Sequence, residues 1–241
     1  MQVFLPAAGL GTRLRPLTDS RPKALVEVDG EPLLKHNILR LSAQGANRIV
    51  VNVHHFAGMV VDYLASQPWP CEILVSDERD LLLDTGGGLK KAAHLFRPDE
   101  PVVIHNVDIL SRIDLAALLS QHTCSKAIAT LAVSRRDTSR QLLFDREETL
   151  AGWENRASGA IRWVHEQHPE SITPLAFSGI AVVSPAFLDM LPEASQPYPI
   201  IPAYLDIAKH HAIRCFQHSS SDWLDVGKPE TLQQALTWIH S

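Results

Sequence analysis

Several things are scarce in this sequence, and each scarcity excludes a class of protein. The three cysteines, Cys71, Cys124 and Cys215, lie far apart and form no CxxC pair, so no disulfide framework is expected and reduced thiols in a cytoplasmic protein are. No apolar run approaches the roughly 18 residues that a membrane helix needs. Val3-Phe4-Leu5 leads straight into a Gly-rich loop, so no signal peptide is expected. Positive charge is not in excess: 22 Lys and Arg against 27 Asp and Glu leave a net charge of -5, which argues against binding nucleic acid or an anionic membrane. Twelve histidines are present, but none has HxxxH or HExxH spacing, and no zinc site is expected. Repeats, low-complexity tracts and Pro/Ser-rich linkers are absent too.

What remains is an ordinary globular composition, 45% hydrophobic and 20% charged over 241 residues. Such a chain can bury about three quarters of its unfolded surface, so it needs no metal to fold. Short Val- and Ile-rich runs alternate with longer amphipathic stretches, which predicts a parallel or mixed sheet covered by helices. Strands are expected at 2–5, 48–53, 71–76, 102–105, 127–133, 177–183 and 213–217. Helices are expected at 33–43, 58–66, 87–95, 115–122, 201–210 and 229–239. Leu34, Ile38 and Leu41 fall on one helical face. The pattern breaks down at about 134–176, where Leu142–Phe144 and Leu150–Trp153 read as short strands around a polar turn. This is expected to be an insertion walling one side of a site within a single domain, 1–241.

After the first strand comes Leu5-Pro6-Ala7-Ala8-Gly9-Leu10-Gly11-Thr12-Arg13-Leu14. Small residues there let backbone N–H groups approach an anion. Leu14 spoils a G-x-G-x-x-G dinucleotide fingerprint and no Lys completes a Walker loop. A basic Gly-Gly loop remains, with Arg13 inside it and Pro22-Lys23 ten residues on. Two glycines alone fit a surface turn equally well.

The run from Ala7 to Thr18, with Arg21-Pro22-Lys23-Ala24-Leu25 after it, resembles the signature of sugar-1-phosphate nucleotidyltransferases. That resemblance implies a Rossmann-like three-layer α/β/α sandwich with a mixed, mainly parallel sheet, of the nucleotide-diphospho-sugar transferase type. It also implies that Ala7, Ala8, Gly9, Gly11 and Thr12 hold the triphosphate of an NTP. Arg13 would contact its phosphates and Lys23 would stand beside the α-phosphate. Pro6 departs from the small residue usual there and is expected to stiffen the loop.

Asp84-Thr85-Gly86-Gly87-Gly88 opens a helical stretch although each Gly costs about 1 kcal/mol relative to Ala. Close approach to a flat base is one reason for them; a flexible helix start is another. The segment resembles the Glu-Thr-Gly-Gly-Gly of N-acetylmuramic acid 1-phosphate uridylyltransferases, which implies that Thr85, Gly86 and Gly87 line a pyrimidine, uracil in preference to other bases. Asn52-Val53-His54 resembles a stretch of the same group; His54 reads equally as a site residue or a capped surface histidine.

Asn106-Val107-Asp108 ends a buried-type strand, where ligands of open α/β sheets gather. Trp223-Leu224-Asp225-Val226-Gly227 resembles the family's Trp-x-Asp-Val-Gly. By that resemblance Asp108 and Asp225 hold Mg²⁺ between NTP and sugar phosphate, and Asn106 contacts the nucleotide. Val107 replaces the family's Gly and is expected to narrow what the backbone faces. Phe177-Ser178-Gly179-Ile180 resembles a stretch that faces the sugar, so Ser178 and Gly179 are expected to meet sugar oxygens. Gln141 and Asn155, in the insertion, are candidates for reading an acyl or lactyl group, or else ordinary edge-strand residues.

The expected activity is Mg²⁺-dependent transfer of a nucleotidyl group, with UTP and N-acetylmuramic acid 1-phosphate as the leading pair and cell-wall recycling as the setting. Alternatives are guanylyl or cytidylyl transfer to another phosphorylated acceptor, a silent nucleotide-sugar-binding regulator and, last, a dinucleotide-dependent dehydrogenase.

Overall fold

Strand β1 (Gln2–Pro6) sets the layering. Its side chains alternate between two apolar cores, Val3 and Leu5 in one and Phe4 in the other, as a pleated strand buried on both faces requires. The computed structural model describes residues 1–240. After β1 the Gly-rich loop passes through short 3₁₀ turns at Thr12–Leu14 and Lys23–Leu25 into a small hairpin, β2 (Glu27–Val28) and β3 (Glu31–Pro32). There follow α1 (Leu33–Ala43), β4 (Arg48–Val53), α2 (Ala57–Ala65), β5 (Glu72–Asp77), α3 (Asp84–Ala92), β6 (Val102–His105), β7 (Ile109–Ser111), α4 (Leu115–Ser125) and β8 (Ala129–Ser134). The 134–176 region contributes β9 (Arg140–Phe144), β10 (Leu150–Asn155), β11 (Ala160–Trp163) and the start of β12 (Thr173–Val183). The chain closes with α5 (Pro185–Met190), α6 (Ile200–Ile207), β13 (Ile213–Gln217), β14 (Trp223–Asp225) and α7 (Pro229–His240).

The mixed, mainly parallel central sheet has ten strands in the order β11-β10-β9-β12-β6-β1-β4-β5, with β8 and then β13 joined beyond β12. Its nucleus β6-β1-β4-β5 is parallel. Helices α1, α2 and α4 cover one face through Leu34, Ile38, Val60, Leu64 and Leu118. Helices α3, α5 and α6 cover the other through Leu89, Ala92, Phe187 and Tyr204. The expected three-layer α/β/α class is what the chain adopts.

The stretch expected to be irregular is an antiparallel ladder, β9-β10-β11, continued from the first half of β12. No alternation marks β9 because Gln141, Leu142, Leu143 and Phe144 are all buried, so the period-2 signal is missing. A third, small apolar cluster gathers Leu14, Val26, Val28, Leu110, Val226 and Ala235. The Leu14 that spoils a dinucleotide fingerprint is therefore wholly buried and pins the Gly-rich loop to the β2–β3 hairpin and α7.

Candidate functional site

The carboxyl ends of β1, β4 and β6 lie side by side, Pro6 opposite Asn52, and the candidate residues collect there as parallel topology predicts. A two-stranded ladder off the main sheet completes the arrangement. In it β14 pairs antiparallel with β7, Asp225 opposite Ile109, and the Val226 N–H donates to the Asp108 carbonyl at 2.8 Å. Two aspartates far apart in the chain are thereby made neighbours. The Lys23 ammonium contacts Asp108 Oδ2. The Arg13 guanidinium spans the pair, 3.5 Å from Asp108 and 3.7 Å from Asp225. Lys23 is largely buried, whereas the Arg13 side chain is 54% exposed. Gly227 seals the group from below: a Cβ there would stand 2.7 Å from Arg13 Nη2, 2.7 Å from Asp225 Oδ1 and 3.0 Å from Asp108 Oδ2.

Gly11, with φ +65°, would place a Cβ 2.9 Å from Thr18 and 3.0 Å from the Lys23 Cβ. Only glycine allows that approach. The N–H groups of Ala7 and Ala8, expected to face an anion, instead donate to Asn52 Oδ1 at 2.7 and 3.2 Å; both residues are buried, and their amides are spent on the protein. The N–H groups of Gly9, Leu10 and Gly11 donate to no described residue. Asn52 in turn donates to Glu78 Oε1 at 2.7 Å, and the Leu83 N–H donates to Glu78 Oε2 at 3.1 Å. Glu78 is wholly buried, and burial pushes its carboxyl pKa up against the pull of those two donors. His54 lies 2.6 Å from the Glu78 carbonyl through Nδ1 and lines neither of the cavities described below.

The three glycines occupy the first turns of α3 and are buried. A Cβ on Gly86 would stand 2.5 Å from the Tyr198 ring, one on Gly87 3.0 Å from Leu83, and one on Gly88 2.6 Å from Glu78. Packing within the protein thus accounts for them without a base. Beside them a cavity of about 300 Å³ is lined by Pro6, Ala8, Gly9, Asn52, Asp84 and Thr85.

On the other side of the Gly-rich loop, a cavity of about 540 Å³ holds Arg13, Asn106, Asp108, Arg136, Gln141 and Asp225 in its lining. Asn106 packs against Gly179, whose φ is +70° and whose Cβ would meet Asn106 Nδ2 at 2.7 Å. Gln141 is 6% exposed, and its Oε1 has no hydrogen-bond partner. Three expectations are corrected. The Ser178 hydroxyl does not await a sugar oxygen: it is wholly buried, accepting from Arg136 at 2.9 Å and lying 2.7 Å from His218 Nε2. Asn155 lies outside the cavity lining and accepts the Ala157 N–H at 3.1 Å in the turn after β10. Val107 does not narrow the site, because its side chain is buried in the core with Ile109 and Ile180.

Sequence reasoning noted Asn52 only as part of Asn52-Val53-His54 and passed over Glu78 and Arg136. Each carried a signal: Asn52 interrupts the apolar run Ile49–Val53, Glu78 follows a strand end, and Arg136 follows the buried strand β8.

Comparison with known proteins decides the family. A model described as nucleotidyl transferase matches residues 3–143, more than half of the chain. The chain belongs to the nucleotidyl transferase family. This nucleotidyltransferase is 32% identical over 235 residues to an N-acetylmuramate alpha-1-phosphate uridylyltransferase of Caulobacter vibrioides, covering 93% of this chain and 90% of that one. It is 28% identical to the mannose-1-phosphate guanylyltransferase catalytic subunit beta of Dictyostelium discoideum, over 95% of this chain and 62% of that longer one. In fold it matches a UDP-glucose pyrophosphorylase solved with UDP-glucose, TM-score 0.79, at 16% identity, over 100% of this chain and 98% of the other. Among the described residues no helix is long and apolar enough to cross a membrane, and Cys71, Cys124 and Cys215 are free thiols.

Proposed function

We propose that this nucleotidyltransferase moves a uridylyl group from UTP to N-acetylmuramic acid 1-phosphate in the cytoplasm, releasing pyrophosphate. The observation that carries the reading is the convergence of Arg13, Lys23, Asp108 and Asp225 at the larger cavity, whose lining includes all of them but Lys23. The choice of base and sugar is supported by the likeness to the Caulobacter vibrioides enzyme. An oxygen of the sugar phosphate attacks the α-phosphorus of the NTP in line, and the bond from that phosphorus to the bridging oxygen of pyrophosphate breaks. No covalent nucleophile on the protein is needed, so its work is positioning and charge neutralisation. Lys23 is placed to balance charge building near the α-phosphorus. Arg13, exposed at the cavity, suits the departing pyrophosphate.

Asp108 and Asp225 also fit Mg²⁺. The two carboxylates face one point above Gly227, and no cluster of three or more potential ligands occurs among the described residues. Mg²⁺ takes one or two carboxylates and fills its shell with water and substrate oxygens. Bound there, it would supply positive charge between two phosphate groups that otherwise repel.

The test is a pyrophosphate-release assay crossing UTP, dTTP, GTP, CTP and ATP with a panel of sugar 1-phosphates, with Mg²⁺ and with EDTA. The expected result is EDTA-sensitive release with UTP and N-acetylmuramic acid 1-phosphate. Release with GTP and a hexose or heptose 1-phosphate would replace that pair by guanylyl transfer. Silence throughout, with nucleotide still bound, would favour a regulatory protein.

A further inference from the structure

Arg136 is a half-buried guanidinium held in place by neutral groups alone. It donates to Ser134 Oγ at 2.8 Å, to Ser178 Oγ at 2.9 Å and to the Phe177 carbonyl, and its Cζ lies over the Trp223 ring, 3.7 Å from the centroid. No described carboxylate lies within 4.0 Å of it. Asp137, next in the chain, is exposed at the cavity and makes no pair with it; Asp225 acts on it only at longer range. Burial pulls its pKa down to about 10, still charged at neutral pH. A desolvated cation normally has an anion beside it. Arg13 and Lys23, the cations of the cluster, have theirs in Asp108 and Asp225, and the other cations of the cavity lining, Arg140 and Lys228, are exposed to solvent.

The same cavity wall includes Gln141, 6% exposed, whose carboxamide oxygen is unpartnered and closed off from the cavity space. One wall therefore presents a fixed cation with no anion hydrogen-bonded to it. A ligand that completes it bears an anionic oxygen.

We propose that Arg136 binds the anionic oxygen of the acceptor substrate. The anion is the acceptor's phosphate or a carboxylate on its sugar. Trp223 and Ser178 act as positioning residues for the guanidinium. The ligand's identity as acceptor rests on the nucleotidyl-transfer reading; the anion site itself does not.

Calorimetric titration of the wild-type protein, R136Q and R136K tests it. N-acetylmuramic acid 1-phosphate, N-acetylglucosamine 1-phosphate and N-acetylmuramic acid serve as probes, with UTP as the control ligand. R136Q should weaken N-acetylmuramic acid 1-phosphate by about 10- to 100-fold, the range for a charge-assisted hydrogen bond, while UTP changes less than about twofold. R136K should fall between. An equal loss for N-acetylglucosamine 1-phosphate assigns the contact to phosphate; a loss confined to the two muramic acids assigns it to the carboxylate. S178A, which leaves the charge and frees its orientation, should raise the acceptor KM without changing the UTP KM, and it serves if R136Q does not fold. Unchanged acceptor binding in R136Q, an equal loss of UTP and acceptor, or no acceptor binding by the wild type would overturn the assignment. Arg136-dependent sugar-phosphate binding in a protein that never releases pyrophosphate would keep the site and reject the reaction.

Discussion

Replacing Asn52 by Ala should cost far more than the loss of one polar surface side chain. Its carboxamide accepts the Ala7 and Ala8 amides at 2.7 and 3.2 Å and donates to Glu78 at 2.7 Å. All four residues are under 5% exposed. Truncation leaves two amides and one carboxyl oxygen without partners, at about 1–3 kcal/mol each. A water entering the vacated space would recover part of this, so a net loss of about 3–5 kcal/mol is expected. For a chain of this size each kcal/mol lowers Tm by about 2–4 °C, which predicts a fall of roughly 10 °C. The loss should also depend on pH. Asn52 holds the Glu78 pKa down against burial; without it that pKa rises further, and the buried carboxyl takes up a proton more readily. Folded N52A then binds more protons than folded wild type near the Glu78 pKa, so the gap between the two should narrow as pH falls from 8 toward 5. Differential scanning calorimetry of both proteins across that range measures it. A Tm within about 2 °C of wild type at pH 8, or a gap that widens on acidification, would refute the account of Asn52 as the tie between the Gly-rich loop and Glu78.

Other substitutions separate catalysis from stability. Gly227→Ala drives a methyl into Arg13, Asp225 and Asp108; a displacement near 1 Å at reacting groups costs about 10²-fold, so pyrophosphate release should fall by that order while Tm changes little, and full activity would show that the cluster tolerates rearrangement. Tyr204 is wholly buried with its hydroxyl unpartnered, so Tyr204→Phe should raise stability by about 1 kcal/mol, read as a higher denaturant midpoint at unchanged m. His105 is fully buried, and desolvation drops its pKa to about 4 from 6.5. The unfolded chain then binds the extra proton between those values, so this contribution is intact above pH 6.5 and is lost from there to pH 4, by up to about 1.4 kcal/mol per pH unit; His105→Gln should flatten that slope in pH-resolved denaturant titrations.

Much of this was legible in the residues. Strands at 48–53, 102–105 and 213–217 and the helix at 33–43 appear with the expected bounds, because apolar period and flanking turns agree there. The ladder at β9–β11 was obscured where burial on both faces erased alternation. Arg13, Lys23, Asp108 and Asp225 could be named from ordered motifs, and the structure brings them together. What escaped was the layer beneath them. Asn52 and Glu78 meet across strands β4 and β5, and Arg136 meets Ser178 across β8 and β12. Such pairings depend on register between distant segments, which no local pattern carries. Ser178 was misread for the same reason: its partners, Arg136 and His218, are near it only in space.

The β7–β14 ladder also has a consequence for the order in which the molecule becomes competent. Arg13, Lys23 and Asp108 belong to the first half of the chain, which also supplies the parallel strand nucleus. Asp225, Gly227 and the helix that packs over Leu14 and Val28 belong to its last segment. A nascent chain can therefore assemble its parallel strand nucleus while the acidic pair is still a single carboxylate. On the proposed chemistry, competence would arrive only when the final strand zips onto β7 and brings Asp225 beside Asp108.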